Sequence, residues 1–318
     1  MINVIANILI GLLTLLAYLP MCVLYMFSDM IFFVIYNVCH YRLEVVRKNL
    51  KRSFPDYTNG QLMQLERQSY RNMCDLMVEE LKMLHMSQKE RERRIVVKGA
   101  ELIAQAAAMK RPVFIFIGHI GNWEWALDFS SHVKPPLTRG CIYHPLSIKL
   151  TDLILIKLRD RFYPNSYQIP QKVAVRTLYH LKKEFGSFQI ALNSDQCPIF
   201  QSLDHWMTFM NQDTPYIVGG EEIGRRLNAK FLMFHMSKPK RGYYEVTITD
   251  IPLSDEELAH KKYPYTEAYM RHLEKNIREQ PEIYLWTHNR WKYRRVFYPD
   301  GTWKNCDTRK DPKPVVNS

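Results

Sequence analysis

The hydrophobic and polar positions divide the chain into stretches of different rhythm. From residue 4 to residue 27 no charged side chain interrupts an apolar run of 24 residues, enough for a helix to cross a hydrocarbon core. Pro20 and Asp29 complicate a straight span, so a kinked helix or an interfacial arrangement of residues 31–38 stays open beside it. After a turn at residues 53–59, residues 61–86 place Leu62, Leu65, Met73, Leu76, Met77, Leu81 and Leu84 close to helical spacing, which predicts an amphipathic helix. Residues 88–94 read as a solvated charge run. From residue 95 the rhythm changes to short apolar strands alternating with helices. Strands are expected at 95–99, 112–118, 141–143, 188–193, 206–210, 229–236 and 243–250, and helices at 100–110, 122–131, 148–161, 172–184, 216–227 and 265–279. Such alternation predicts an α/β fold with a central, mostly parallel sheet flanked by helices and antiparallel additions near 230–250. The expected organisation is an N-terminal anchor at 1–41, a basic linker and amphipathic helical region at 42–94, and a sheet-containing domain at 95–318 whose last ten or so residues fray.

Charge sharpens the first part of that picture. The 318 residues hold 44 Lys+Arg against 32 Asp+Glu, a formal net charge of +12, which alone suits nucleic acid, an acidic protein or an anionic membrane. The excess is uneven. Residues 42–52 carry five basic residues against Glu44, and the tail from His288 holds eight against Asp300, Asp307 and Asp311. The first patch directly follows the apolar block, which favours a membrane and, by the positive-inside rule, a cytoplasmic body. No basic n-region precedes the run and no small-residue cleavage site follows it, so a signal peptide is disfavoured. Nucleic-acid binding has no helix-turn-helix, zinc or RNP-type pattern to support it. The six cysteines are scattered without a CxxC, against a disulfide scaffold or zinc ribbon.

Candidate chemistry concentrates in VFIFIGHIGNWEW, residues 113–125. An apolar strand ends at Gly118, His119 follows, and Glu124 sits in the helix beyond. Ligands of α/β sheets bind at the carboxyl ends of strands, where this histidine falls. Gly118 and Gly121 would let the backbone bend and a substrate approach. Glu124 is expected to reach back and accept the His119 Nδ1–H, leaving Nε2 to deprotonate a hydroxyl. With 11 histidines and 32 acids among 318 residues, chance supplies about one His-x4-acid pair. His85 and Glu90 form a second, in a charged stretch with neither strand nor glycine, and serve as the decoy. No metal is expected, since neither pair has HExxH spacing. Backbone N–H groups near Gly121–Asn122 are candidates for stabilising an oxyanion.

The GHIGNWEW segment resembles the His-x4-acid motif of glycerolipid-type acyltransferases, and its context is similar to the lipid A biosynthesis (lauroyl/myristoyl) acyltransferase family. Further resemblances follow in order along the chain: the N-terminal anchor, VVRKNLKRSFP at 45–55, Arg159 in LILIKLRDRF, Asp195–Gln196 in NSDQCP, WMTFMNQDTPYIVGG, and YLWTHNRWKYR with His288, Arg290 and Trp291. One departure is His144, where family members often carry arginine. The resemblance implies a glycerolipid-acyltransferase-like fold and a membrane-bound O-acyltransferase without a cofactor. The acyl chain would move from an acyl carrier protein thioester, or acyl-CoA, to a hydroxyl of a lipid A precursor at the inner membrane. His119 would be the general base oriented by Glu124. Arg159, Asp195, Gln196, His288 and Arg290 would contact substrate, Arg159 through bidentate binding of phosphate or carboxylate and His288 and Arg290 as part of an anionic headgroup surface. Alternatives keep the chemistry and change the acceptor to a lysophospholipid, an aminolipid or a phosphatidylinositol mannoside, or discard it for a nonenzymatic membrane-associated binding protein.

Overall fold

The computed structural model describes residues 2–146, 148–298 and 301–310, so the expected fraying from residue 311 lies outside the described residues. The apolar N-terminal run forms two helices, α1 (Ile2–Ala17) and α2 (Met21–Phe32), with Pro20 at the break. Proline lacks the N–H that a continuous helix would need there and crowds the preceding turn. The single 24-residue helix expected from the sequence is therefore not formed. At 16 residues, α1 is only about 24 Å long against the roughly 30 Å of a hydrocarbon core. A π-helical stretch, Phe33–Val38, continues α2. Together Met21–Val38 make a mostly apolar stretch of 18 residues, long enough to cross a membrane by length and composition.

One face of these helices is committed to the rest of the protein. α3 (Leu43–Ser53) and α4 (Asn59–Lys82) follow, α4 opening on a capping box between Thr58 and Gln61. Residues 53–58 make a compact turn in which Phe54 is buried. Along α4, buried polar side chains meet α2 one after another. Tyr36 Oη donates to Glu66 (2.7 Å), Ser28 Oγ to Asp75 (2.7 Å) and Tyr25 Oη to Glu79 (2.8 Å). The Lys82 ammonium closes the series by donating to the Ala17 and Leu19 carbonyls, both at 3.0 Å, which caps the end of α1. Arg241 bridges Asp75 and Asp29. The opposite face is bare and apolar. Ile5, Ile8, Leu12, Leu15 and Leu16 form a stripe at helical spacing on α1, with Met26, Met30 and Phe33 beside it.

The charge run at 88–94 is a short helix, α5 (Gln88–Arg94), capped by Ser87, and it is only partly solvated. Arg94 is buried and donates to the Gly242 carbonyl, while Arg91 lies 3.9 Å over the Phe162 ring and pairs with Asp128. The alternating region then runs β1 (Ile95–Lys98), α6 (Ala100–Ala108), β2 (Val113–Ile117), α7 (Trp123–Ala126), β3 (Arg139–Tyr143), α8 (Lys149–Phe162), β4 (Ser166–Pro170), α9 (Ala174–Phe185) and β5 (Gln189–Asn193). It continues through β6 (Trp206–Phe209), β7 (Gln212–Pro215), α10 (Gly219–Arg226), β8 (Lys230–Lys240), β9 (Tyr243–Asp250), α11 (Asp255–His260), α12 (Pro264–Glu279), β10 (Tyr293–Phe297) and β11 (Trp303–Asp307).

Seven strands form one sheet in the order β1-β9-β8-β2-β5-β3-β4. Five run parallel, and the β8–β9 hairpin reverses direction so that β9 and β1 oppose the rest. β2 is buried along its whole length, as an uninterrupted VFIFI run in a sheet covered on both faces should be. The 206–210 strand is not in this sheet; it pairs with β7 in a separate hairpin, and β10–β11 make another. β4, missed by the hydrophobic pattern, is a short edge strand whose only apolar pair is Tyr167, which is exposed, and the buried Ile169.

Asp75 neutralises Arg241 and Lys238 while accepting from Ser28. Asp75→Ala strips those charges of their buried partner, although Arg241 keeps Asp29. The expected loss is about 2–3 kcal/mol in a denaturant titration, with residues 20–42 more readily cut by protease.

Candidate active site

The site follows from strand register. Ile117 at the end of β2 lies opposite Asn193 at the end of β5. His119 and Asp195 each stand two residues further on, so two parallel strands that stop in step deliver them side by side. Asp195 Oδ1 lies 2.7 Å from His119 Nδ1, and the His119 backbone N–H donates to Oδ2 at 2.9 Å. One carboxylate thus holds both the ring and the backbone of the histidine. Asp195 is only 2% exposed as a side chain and His119 12%. Burial pushes the Asp195 carboxyl up, but the His119 charge and the two hydrogen bonds outweigh it and hold the group below its ordinary range. With Nδ1–H given to Asp195, Nε2 carries the lone pair, and the Gln196 amide approaches it at 3.0 Å. Trp123 closes one side, its ring centroid 5.0 Å from the imidazole and edge-on to it.

Glu124 does not orient His119, contrary to the expectation from spacing. Its carboxylate takes a two-pronged ion pair from Arg159, with Nε to Oε2 at 2.8 Å and Nη2 to Oε1, and the Tyr163 hydroxyl donates to its carbonyl. Both Glu124 and Arg159 are buried. The guanidinium fork expected to grip a substrate anion is occupied by Glu124 instead. Glu80 on α4 stands near this pair, and burial followed by the Glu124 charge pushes its carboxyl up to about 8. Beside it, Glu79 accepts from Asn122 Nδ2 (2.8 Å) and Tyr244 Oη (2.7 Å), while Asn122 Oδ1 caps α7 through the Trp125 N–H. Burial raises the Glu79 carboxyl as well. Sequence reasoning missed both glutamates. Their only signal was two acids at the apolar end of an amphipathic helix.

The turn after His119 is tight rather than open. Gly121 has φ +56°, and a Cβ there would stand 2.2 Å from Met236 Sδ, so Met236 fills the space expected to admit substrate. The Gly121 N–H, considered as an oxyanion donor, is spent on the Ile283 carbonyl at 2.8 Å. Ile120 bridges to Tyr284, and the Leu285 N–H donates to the His119 carbonyl at 3.1 Å. Residues 283–288 therefore form a strap running along the His119 turn.

His288 ends that strap. Its Nε2 accepts from the Cys197 N–H at 3.4 Å, just past Gln196. Burial, then the Arg290 charge, brings its imidazole down to about 4. Arg290 was expected on an anionic headgroup surface, yet it is 1% exposed. Its Nη2 donates to the Pro215 carbonyl, while Nε and Nη1 are buried without a hydrogen-bond partner among the described residues. His144 is exposed just beyond β3. The decoy His85 stacks on Tyr18, 3.7 Å between centroids, and Glu90 pairs with Arg94. No cluster of three or more metal-ligating side chains occurs among the described residues.

A parallel α/β sheet that presents a histidine–carboxylate pair at its strand ends defines a class of protein equipped for proton transfer, and the comparison with known families narrows it. The model of the bacterial lipid A biosynthesis acyltransferase family matches residues 2–293. The chain belongs to this family and is a lipid A-type acyltransferase. No curated protein matches the chain.

The low imidazole of His288 has a consequence for stability. The unfolded chain takes up a proton below about 6.5 that the folded chain refuses until about 4. Stability from this residue is thus complete above 6.5 and falls as pH drops through that window. Urea midpoints should fall by the equivalent of about 1–2 kcal/mol between pH 7 and pH 4.5, allowing for partial exposure, and His288→Asn should flatten that part of the curve.

Proposed function

We propose that the protein transfers a fatty acyl chain from an acyl carrier protein thioester or acyl-CoA to a hydroxyl of a lipid A precursor. His119 is the general base, and Asp195, rather than Glu124, orients it. The observation that carries this reading is the Asp195 carboxylate bound to both Nδ1 and the backbone N–H of His119. It fixes the tautomer that leaves Nε2 unprotonated, and it stabilises the imidazolium formed when Nε2 takes the hydroxyl proton. The acceptor oxygen then attacks the thioester carbonyl, and the tetrahedral intermediate collapses to the ester. The thiol leaves with the proton held by His119. No covalent enzyme intermediate is required. Gln196 sits where the acceptor hydroxyl must come, so its amide gives way to substrate. The Glu124–Arg159 pair supports the site by locking α7 against α8.

The stripe of exposed apolar residues on α1 and α2 is the surface we assign to the membrane. Glu66, Asp75 and Glu79 line the other side of α2 and cannot follow it into hydrocarbon. On this reading the helices lie along the bilayer surface instead of crossing it. The body faces the inner membrane from the cytoplasm, where both donors occur, and the basic residues of α3 favour anionic headgroups.

Purified protein, labelled acyl-carrier and acyl-CoA donors, and a panel of acceptor lipids test the chemistry. His119→Ala should fall at least 10³-fold and Asp195→Asn about 10²-fold, while His85→Ala stays within twofold. A His119→Ala enzyme as fast as the parent would refute the assignment. For the membrane, the Leu12→Glu/Leu15→Glu double variant should bind anionic vesicles at least fivefold less in flotation, and alkaline carbonate should release the parent protein. Retention after carbonate would instead favour a spanning helix.

A further inference from the structure

The VVRKNLKRSFP segment has no part in the chemistry above, yet its asparagine reaches the catalytic turn at one remove. We propose that Asn49 is a positioning residue for His119, acting through the strap at 283–288; this rests on His119 being the base. Asn49 projects from the middle of α3 and is 4% exposed. Its single Nδ2 donates to two strap carbonyls, Trp286 at 2.9 Å and His288 at 3.1 Å. The residue just before that pair, Leu285, gives its N–H to the His119 carbonyl at 3.1 Å, and Ile283 and Tyr284 hold Gly121 and Ile120. The strap therefore has one edge bonded to the catalytic turn and the other bonded to Asn49.

Other residues of the segment serve the same joint. Phe54 packs its ring against Trp286, edge to face, with centroids 5.7 Å apart. Trp286 is 1% exposed and anchors itself by donating from Nε1 to the Pro281 carbonyl at 2.6 Å. Leu50 fills the core beneath. Arg42, at the start of the same helix, adds a bond from Nη1 to the Thr287 carbonyl at 3.1 Å, but on the exposed side. A short side-chain amide suits position 49. It must donate two hydrogens from one nitrogen to carbonyls two residues apart, which an aspartate cannot do and an alanine does not reach. A displacement of the base of under an ångström is enough to slow a proton transfer strongly, so a joint this close to His119 acts on rate more than on substrate affinity.

The test compares Asn49→Asp and Asn49→Ala with the parent under saturating donor, alongside the downfield proton resonance of the His119–Asp195 hydrogen bond. Asn49→Asp should lower kcat at least 30-fold and Asn49→Ala about tenfold, with KM for the donor changed less than threefold and the resonance shifted or lost. Arg42→Ala, which removes only the outer bond, should keep the resonance unmoved. Should Asn49→Asp not fold, Asn49→Ser, which keeps a single donor, decides instead with a smaller loss of kcat and a shifted resonance. Unchanged kcat and an unmoved resonance in a folded variant overturn the proposal, as does a loss carried entirely by KM. The resonance is read without turnover, so a protein inactive on every acceptor would sink the functional reading while leaving this joint testable.

Discussion

The site depends on two parallel strands stopping in step. Because Ile117 and Asn193 are paired, any residue two positions past one faces its counterpart past the other. A slip of one residue would turn Asp195 away from His119 and bring a neighbouring backbone in its place. Both faces of β2 are covered and all five VFIFI side chains are buried, so the strand is held by the close packing of its side chains rather than by polar–apolar alternation. The Tyr269 hydroxyl, donating to the Ile117 carbonyl at 2.6 Å, closes the end of the strand where the turn begins. The geometry of the histidine–aspartate pair is thus set by packing several residues upstream of it.

This explains which parts of the protein were legible. Strands and helices with strong periodicity stand close to their expected limits: β9 spans 243–250 as read, and α12 begins one residue earlier than expected. The position of His119 at a strand end was also readable, because a glycine after an apolar run marks the end of a strand locally. Its partner was not. Asp195 lies 76 residues away, and nothing local distinguishes it from an acid in a turn. The five-residue spacing to Glu124 was a local signal, but Arg159, on another helix, pairs with that carboxylate, and the one beside the His119 ring is Asp195. Arg290 misled for the same reason: alternating charge beside tryptophans reads as surface, yet here it is folded inward behind Pro215.

Two acids, Asp75 and Glu79, are buried in the last turns of α4. Glu79 alone joins α2, the start of α7 and β9 through Tyr25, Asn122 and Tyr244. A carboxyl raised by burial persists only where such partners satisfy it. Each is drawn from a different layer, so the helix acts as a polar keel between the apolar N-terminal helices and the carboxyl end of the sheet. The cost of burying these groups is offset by specificity of arrangement, since few other packings would satisfy them together.

That keel bears on where the protein can be divided. Residues 1–41 look from composition like a removable tether. Their inner face, however, supplies Tyr25, Ser28, Tyr36 and the carbonyls of Ala17 and Leu19 to Glu79, Asp75, Glu66 and Lys82. A fragment beginning after residue 41 would gain solubility by shedding an oily stripe and in the same cut lay bare a row of charges built to be dry. The greasy segment and the sheet-bearing body pack as one unit seen from two sides, the outer side bare and apolar and the inner side polar and turned to the protein itself.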